Sequence, residues 1–164
     1  MEIRLVRPEE LEEVGRLTTE VYVGEGYIDA GDGYVLELVD TPRRAREAEV
    51  WVAVEHGSVL GSVTFCPVGS AYREIAHEDE GEFRMLAVSP SARGRGLGRE
   101  LVALCLQRSR ELGYAGIRMS TMDRMTSAHG VYEGLGFTRS PEDDWSPEPG
   151  VSLLAYAATL PPAG

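Results

Sequence analysis

The chain has 164 residues, enough for one domain with a real core, and its 43% hydrophobic and 26% charged residues are the proportions of a folded globular protein. A formal net charge of -11 argues against nucleic acid as the principal partner, because phosphate binding calls for a basic face. No apolar run reaches spanning length, and Ile3-Arg4-Leu5-Val6-Arg7 is too short and too charged for a signal peptide, so a cytoplasmic protein with no membrane partner is expected.

Taken in chain order, Ile3–Arg7 alternates enough for a short strand. Pro8-Glu9-Glu10 opens a helix, with proline tolerated in the first turn and acids suited to the positive end of the dipole. Leu11, Val14, Leu17 and Val21 carry that helix on at helical spacing. Residues Gly24 to Asp40 hold four glycines and several acids, and read as a loop with a broken helix around Tyr34–Leu38. Thr41-Pro42 has the form of a cap and first-turn proline for a short helix through Ala48.

Val50–Val54 and Val59–Phe65 are β-rich runs joined by Glu55-His56-Gly57-Ser58, a hairpin signal. Ser70–Gly81 is polar and reads as a loop, and Glu82–Val88 as a third long strand that Ser89-Pro90 ends. Leu97, Leu101, Leu104, Cys105 and Leu112 recur at helical spacing up to Gly113. A strand at Ile117–Thr121 precedes a short helix through Ala128, Val131, Tyr132 and Leu135, closed by Gly136 as a left-handed cap. Val151–Leu160 is a last apolar strand. The order predicts a single α/β (α+β) domain with a mixed sheet over residues 1–160 and a short tail at 161–164.

Several kinds of chemistry drop out on composition. All sixteen basic side chains are arginine, which removes a lysine Schiff base and a P-loop. Cys66 and Cys105 have no motif spacing, lie in apolar segments and read as buried thiols. His56, His77 and His129 are scattered without ligand spacing, so no metal is expected.

One stretch stands out. Arg93-Gly94-Arg95-Gly96-Leu97-Gly98-Arg99 places three arginines and three glycines in seven residues of an acidic chain. It sits between a strand and an amphipathic helix, so a disordered arginine–glycine tail is excluded. Glycines let successive backbone N–H groups converge, and the helix beginning near Leu97 adds its positive end. With arginines at the rim, the expected ligand is a multiply charged phosphate, the plainer reading being a purely structural tight turn. The Gly-x-Gly-x-Gly spacing and the late position of the preceding strand speak against a dinucleotide-binding fold.

Arg93-x-x-Gly96-x-Gly98, following Leu86-Ala87-Val88-Ser89-Pro90, resembles the coenzyme A pyrophosphate loop of the GNAT superfamily of N-acetyltransferases. Tyr132-Glu133-Gly134-Leu135-Gly136-Phe137 resembles that family's second motif, whose tyrosine points at the coenzyme sulfur. The resemblance covers nearly the whole chain. It implies a mixed, mostly antiparallel sheet flanked by helices, and acetyl-CoA as acyl donor. It also implies acetyl transfer to a primary amine of a small molecule or protein, and a homodimer as a reasonable assembly.

Carried over by position, the backbone of Gly94, Arg95, Gly96, Leu97, Gly98 and Arg99 is implied to hold the pyrophosphate, with the Arg93 side chain nearby. Backbone groups of Leu86 and Val88 are implied to pair with the pantetheine arm, where the family's strand splays from its neighbour. The resemblance makes Glu82 the candidate base, against the plainer reading of a strand-edge charge that Arg84 could pair. Tyr132 is the candidate acid, its alternative being core packing, and His129 is a second proton carrier to consider. Where many members have asparagine seven residues before the tyrosine, this chain has Met125, which shifts that contact to Ser127 or removes it. Glu25, Asp29, Asp32, Tyr22, Tyr27 and Tyr34 are candidates for receiving the amine, or else a solvated loop. Two other readings stay open: a non-catalytic acyl-CoA-binding sensor or interaction module, and an acyltransferase taking a longer acyl-CoA.

Overall fold

The computed structural model describes residues 1–161, so the last three residues of the expected tail lie outside it. Its strands are β1 (Glu2–Leu5), β2 (Glu49–Glu55), β3 (Ser58–Cys66), β4 (Glu80–Val88), β5 (Gly116–Met122), β6 (Thr138–Arg139) and β7 (Leu153–Thr159), in the spatial order β1-β2-β3-β4-β5-β7-β6. β4 and β5 run parallel and the other neighbours antiparallel. The helices are α1 (Leu11–Gly24), α2 (Tyr34–Val39), α3 (Thr41–Glu47), α4 (Leu97–Glu111) and α5 (Thr126–Gly134). The expected mixed, mostly antiparallel sheet flanked by helices is what forms.

Two cores follow from strand alternation. Val14, Leu17 and Val21 of α1 pack on Val50, Val52 and Ala87. On the other face Leu101, Cys105 and Tyr132 pack on Val63, Phe65 and Phe83. Both cysteines are buried and free.

Local boundaries move where tertiary contacts override pattern. Pro8–Glu10 is a 3₁₀ turn and α1 starts at Leu11. The cap of α3 is Asp40, whose Oδ1 accepts from the Arg43 N–H at 3.2 Å, while Thr41 is already helical and buried. β4 starts two residues earlier than the apolar run suggests, because Glu80 and Gly81 pair with Gly116 and Ile117 of β5. β6, only two residues long, carries no period by which to be read.

Two departures from regularity in β4 create the functional region. First, Thr64 faces Arg84 and Ser62 faces Ala87, so Met85 and Leu86 together oppose Val63, a β-bulge with Met85 at φ +57°. The extra residue flips the pleat: Phe83 and Leu86 face the α4 side, Ala87 the α1 side. Second, β4 and β5 pair only through Glu80–Gly116, Gly81–Ile117 and Glu82–Arg118. Beyond Glu82 the two strands part, leaving both inner edges without a neighbour.

An ion cluster around the buried Arg118 marks the point of parting. Arg118 donates to both Glu80 oxygens at 2.8 and 3.0 Å, and its Nη1 to Ser140 Oγ at 2.7 Å and Asp143 Oδ2 at 2.8 Å. Removing Arg118 leaves the half-buried Glu80 and Asp143 carboxylates facing each other without their cation. Arg118→Met is therefore expected to lose about 3 kcal/mol of unfolding free energy in urea denaturation. A variant as stable as the parent chain would show the cluster to be dispensable.

Candidate active site

The parted strands open a cleft of about 860 Å³. β4 lines it with Phe83, Arg84, Met85, Leu86 and Val88, and β5 with Met119 through Met122. α1 and α2, the start of α4, and α5 complete the walls.

At one end lies the glycine loop. Gly94 and Gly96 hold φ +80° and +77°, the left-handed region that favours glycine. Gly96 caps α4, and no side chain accepts from the helix's first turn. Among the described residues the amide N–H groups from Gly94 to Arg99 find no acceptor. A Cβ at Gly94 or Gly96 would touch nothing within 4 Å, and at Gly98 only Val88 Cγ2 at 3.8 Å. The loop is anchored from below by Ala92 and Leu97, both buried against Ala53. It is a cradle of free donors at a helix N-terminus, the chemistry that suits a pyrophosphate.

The loop's arginines diverge. Arg95 forms a two-pronged pair with Glu55 at 2.7 and 3.2 Å and does not line the cleft. Arg93 lines it but is bridged to Glu25 at the end of α1. Arg99 has no ionic partner among the described residues, and its Nη1 lies over Gly134 of α5, 3.1 Å from where a Cβ would sit.

Tyr132 stands on the cleft wall at only 3% exposure, 5.8 Å from the Phe83 ring and 5.9 Å from that of Tyr156. Burial pushes its phenol well above the ordinary range, so it is protonated at any neutral pH. His129 instead contacts the Met122 carbonyl through Nε2 at 3.1 Å and is not part of the lining. Met125 and Ser127 both line the cleft, and the Met125 sulfur accepts the Thr121 hydroxyl at 3.6 Å.

Glu82 is not brought to the cleft. It is fully buried, and its Oε1 accepts the amides of Glu74, Ile75 and Ala76, each at 2.9 Å, while Oε2 has no partner. Burial raises its carboxyl above the usual range against the downward pull of the three amides. Arg84 pairs with Glu74 through Nε at 3.0 Å, rather than with Glu82, and donates through Nη2 to Tyr34 Oη at 3.0 Å. Glu74 lines the cleft with Arg84, Tyr34 and Glu37. Sequence reasoning missed Glu74, which is one charge in a polar loop and falls within no motif. Of the amine-receiving candidates, Tyr22, Tyr27, Tyr34, Glu25 and Asp32 line the cleft and Asp29 does not. Asp32 is already engaged, accepting from the Tyr34 N–H at 2.8 Å.

Among the described residues no group of three His, Cys, Asp or Glu is placed to hold a metal, and no helix is long and apolar enough to cross a membrane.

Residues 14–137 match the acetyltransferase (GNAT) family. The chain belongs to that family. Its curated relatives include a mycothiol acetyltransferase of Cellulomonas flavigena, 34% identical in an alignment of 126 positions that covers 71% of this chain and 36% of the relative. The chain thus spans about a third of that relative's length. Among solved structures, a GNAT-family acetyltransferase from Staphylococcus aureus Mu50 superposes with a TM-score of 0.77 at 18% identity, covering 98% of this chain and 99% of that one. A Salmonella typhimurium protein solved with its cofactor acetyl-CoA gives 0.72 at 18% identity, over 98% of this chain and 94% of its own. At such identities the likeness is one of fold.

The Glu82 cradle makes a structural prediction for this family member. Glu82→Ala removes the shared acceptor of three amides, so those of residues 74–76 are expected to lose most of their hydrogen-exchange protection. Unchanged protection there, with α4 as reference, would show that the loop is held by other contacts.

Proposed function

We propose that residues 1–160 form a single acetyl-CoA-dependent N-acetyltransferase domain that moves an acetyl group to a primary amine by direct attack in a ternary complex. The observation that carries this reading is the run of amides without acceptors at the start of α4, opening onto the gap between β4 and β5. Family membership supports the donor, and the Salmonella structure contains acetyl-CoA.

Acetyl-CoA would supply an activated acyl group, the carbonyl carbon gaining the amine nitrogen as its bond to sulfur breaks. The amides of Gly94, Arg95, Gly96, Leu97, Gly98 and Arg99 would hold the pyrophosphate, with the Arg93 side chain at the rim. Leu86 and Val88 lie on the stretch of β4 that β5 does not pair, and backbone groups on that edge would receive the pantetheine arm as an added strand. Tyr132 would give its phenolic proton to the departing thiolate and recover one from the nitrogen that has just bonded to carbon. Because Glu82 is enclosed, we do not assign it to the amine.

Incubation with acetyl-CoA and a panel of small amines and peptides is expected to release free thiol. Tyr132→Phe should lower kcat about 100-fold while leaving the coenzyme Kd unchanged. Gly96→Ala forces a side chain to φ +77°, a cost of about 1 kcal/mol, and should weaken coenzyme binding about fivefold with kcat retained. Tight coenzyme binding without turnover on any amine would favour an acyl-CoA-binding module, and faster turnover with propionyl- or succinyl-CoA would favour a longer acyl donor.

A further inference from the structure

Resting on the acetyltransferase reading, we propose that Glu74 is the catalytic base that takes the proton of an ammonium acceptor, and that Glu82 acts through it as a positioning residue. Two independent features of the geometry lead there. The first is what each carboxylate can reach. Glu82 is enclosed, with one oxygen shared by three amides and the other facing no partner. Glu74 lines the cleft, its side chain 28% exposed, with Oε1 fixed by Arg84 Nε at 3.0 Å and Oε2 free of any partner among the described residues.

The second feature is how Glu74 is held. Polar loops rarely carry a precisely aimed carboxylate, because their backbone wanders. Here the Glu74 backbone is pinned at its own N–H by Glu82, and its side chain is pinned by Arg84. Arg84 is fixed in turn by Tyr34 Oη at 3.0 Å and the Tyr72 carbonyl at 3.2 Å. The base is thereby attached at both ends to β4, the strand whose free edge faces the cleft.

The charges around Glu74 suit the task. Burial is the largest influence and raises its carboxyl; Arg84 opposes this, while Glu82 from β4 and Glu37 from α2 add to it. The net position is above the usual carboxylate range, closer to neutrality, where a base accepts a proton more readily than an ordinary glutamate. The ammonium meets Glu74 and Glu37 together at that wall. One N–H bond breaks as the proton passes to Glu74 Oε2, and the freed nitrogen pair forms the bond to the acyl carbon. When the thiol has left, Glu74 returns its proton to water, so one ammonium and one thioester yield one amide, one thiol and one proton. The acceptor class is accordingly a basic amine that arrives protonated.

The test compares Glu74→Gln, Glu82→Gln and Glu82→Ala in the full chain, using acetyl-CoA and an aliphatic amine taken from the active members of the panel. Glu74→Gln is expected to lose about 100-fold in kcat at pH 7, with the deficit shrinking as pH rises and the amine arrives already neutral. In the unsubstituted chain kcat/KM should level off once Glu74 is ionised, whereas Glu74→Gln, which depends on amine that is already neutral, should keep rising with pH toward the amine's own pKa. Glu82→Ala should lower kcat with the coenzyme Kd unchanged, and Glu82→Gln, whose amide oxygen can still accept the three N–H groups, should restore most of it. Wild-type kcat in Glu74→Gln, or an inactive Glu82→Gln beside an active Glu74→Gln, overturns the assignment. Absence of turnover in the unsubstituted chain overturns the acetyltransferase reading and this one with it.

Discussion

The structure depends on one constraint, the short reach of the pairing between β4 and β5. Backbone N–H and C=O groups at a strand edge need partners, and within a sheet the neighbouring strand supplies them. Here the parallel ladder stops after Glu82–Arg118, and both strands continue unpaired along their facing edges. The Arg118 cluster fixes where the ladder stops, and the bulge at Met85 and Leu86 turns the free stretch so that Leu86 faces the α4 side. A ligand with an extended amide chain can occupy such an edge as a guest strand, while an ordinary side chain cannot satisfy it.

The glycine-loop end of the cleft builds on the same gap. α4 begins beside the free edge of β4, so its N-terminal amides and the positive end of its dipole open into the cleft. Among the described residues nothing accepts from them, since the cap is glycine and the space a Cβ would take is open. Arg95 and Arg93 are tied to Glu55 and Glu25, so much of their charge is answered locally. Of the loop's arginines, Arg99 alone has no ionic partner among the described residues.

The wall around Glu74 and Arg84 is built differently. It has no motif, and its groups come from α1, α2, the loop before β4, and β4 itself. Glu74, Arg84 and Tyr34 form one network there, with Glu82 holding the loop from behind. Four of the five methionines, at positions 85, 119, 122 and 125, line the cleft and give it an adaptable apolar floor.

In the sequence, local pattern alone carried the order of elements apart from β6, the glycine loop between strand and helix, and the helix bearing Tyr132. These are local matters of periodicity, turn chemistry and backbone freedom, legible within a window of a few residues. Its family resemblance led to the same fold. What tertiary structure alone decided is which polar groups meet. Glu82 carries the position expected of a base, yet three amides from a loop six to eight residues away enclose it. Glu74 carries no signal, and reaches the cleft because Arg84 and Glu82 hold it from both sides. Burial and partnership are properties of the packed chain, and a carboxylate's chemistry is set by them rather than by its place in a motif.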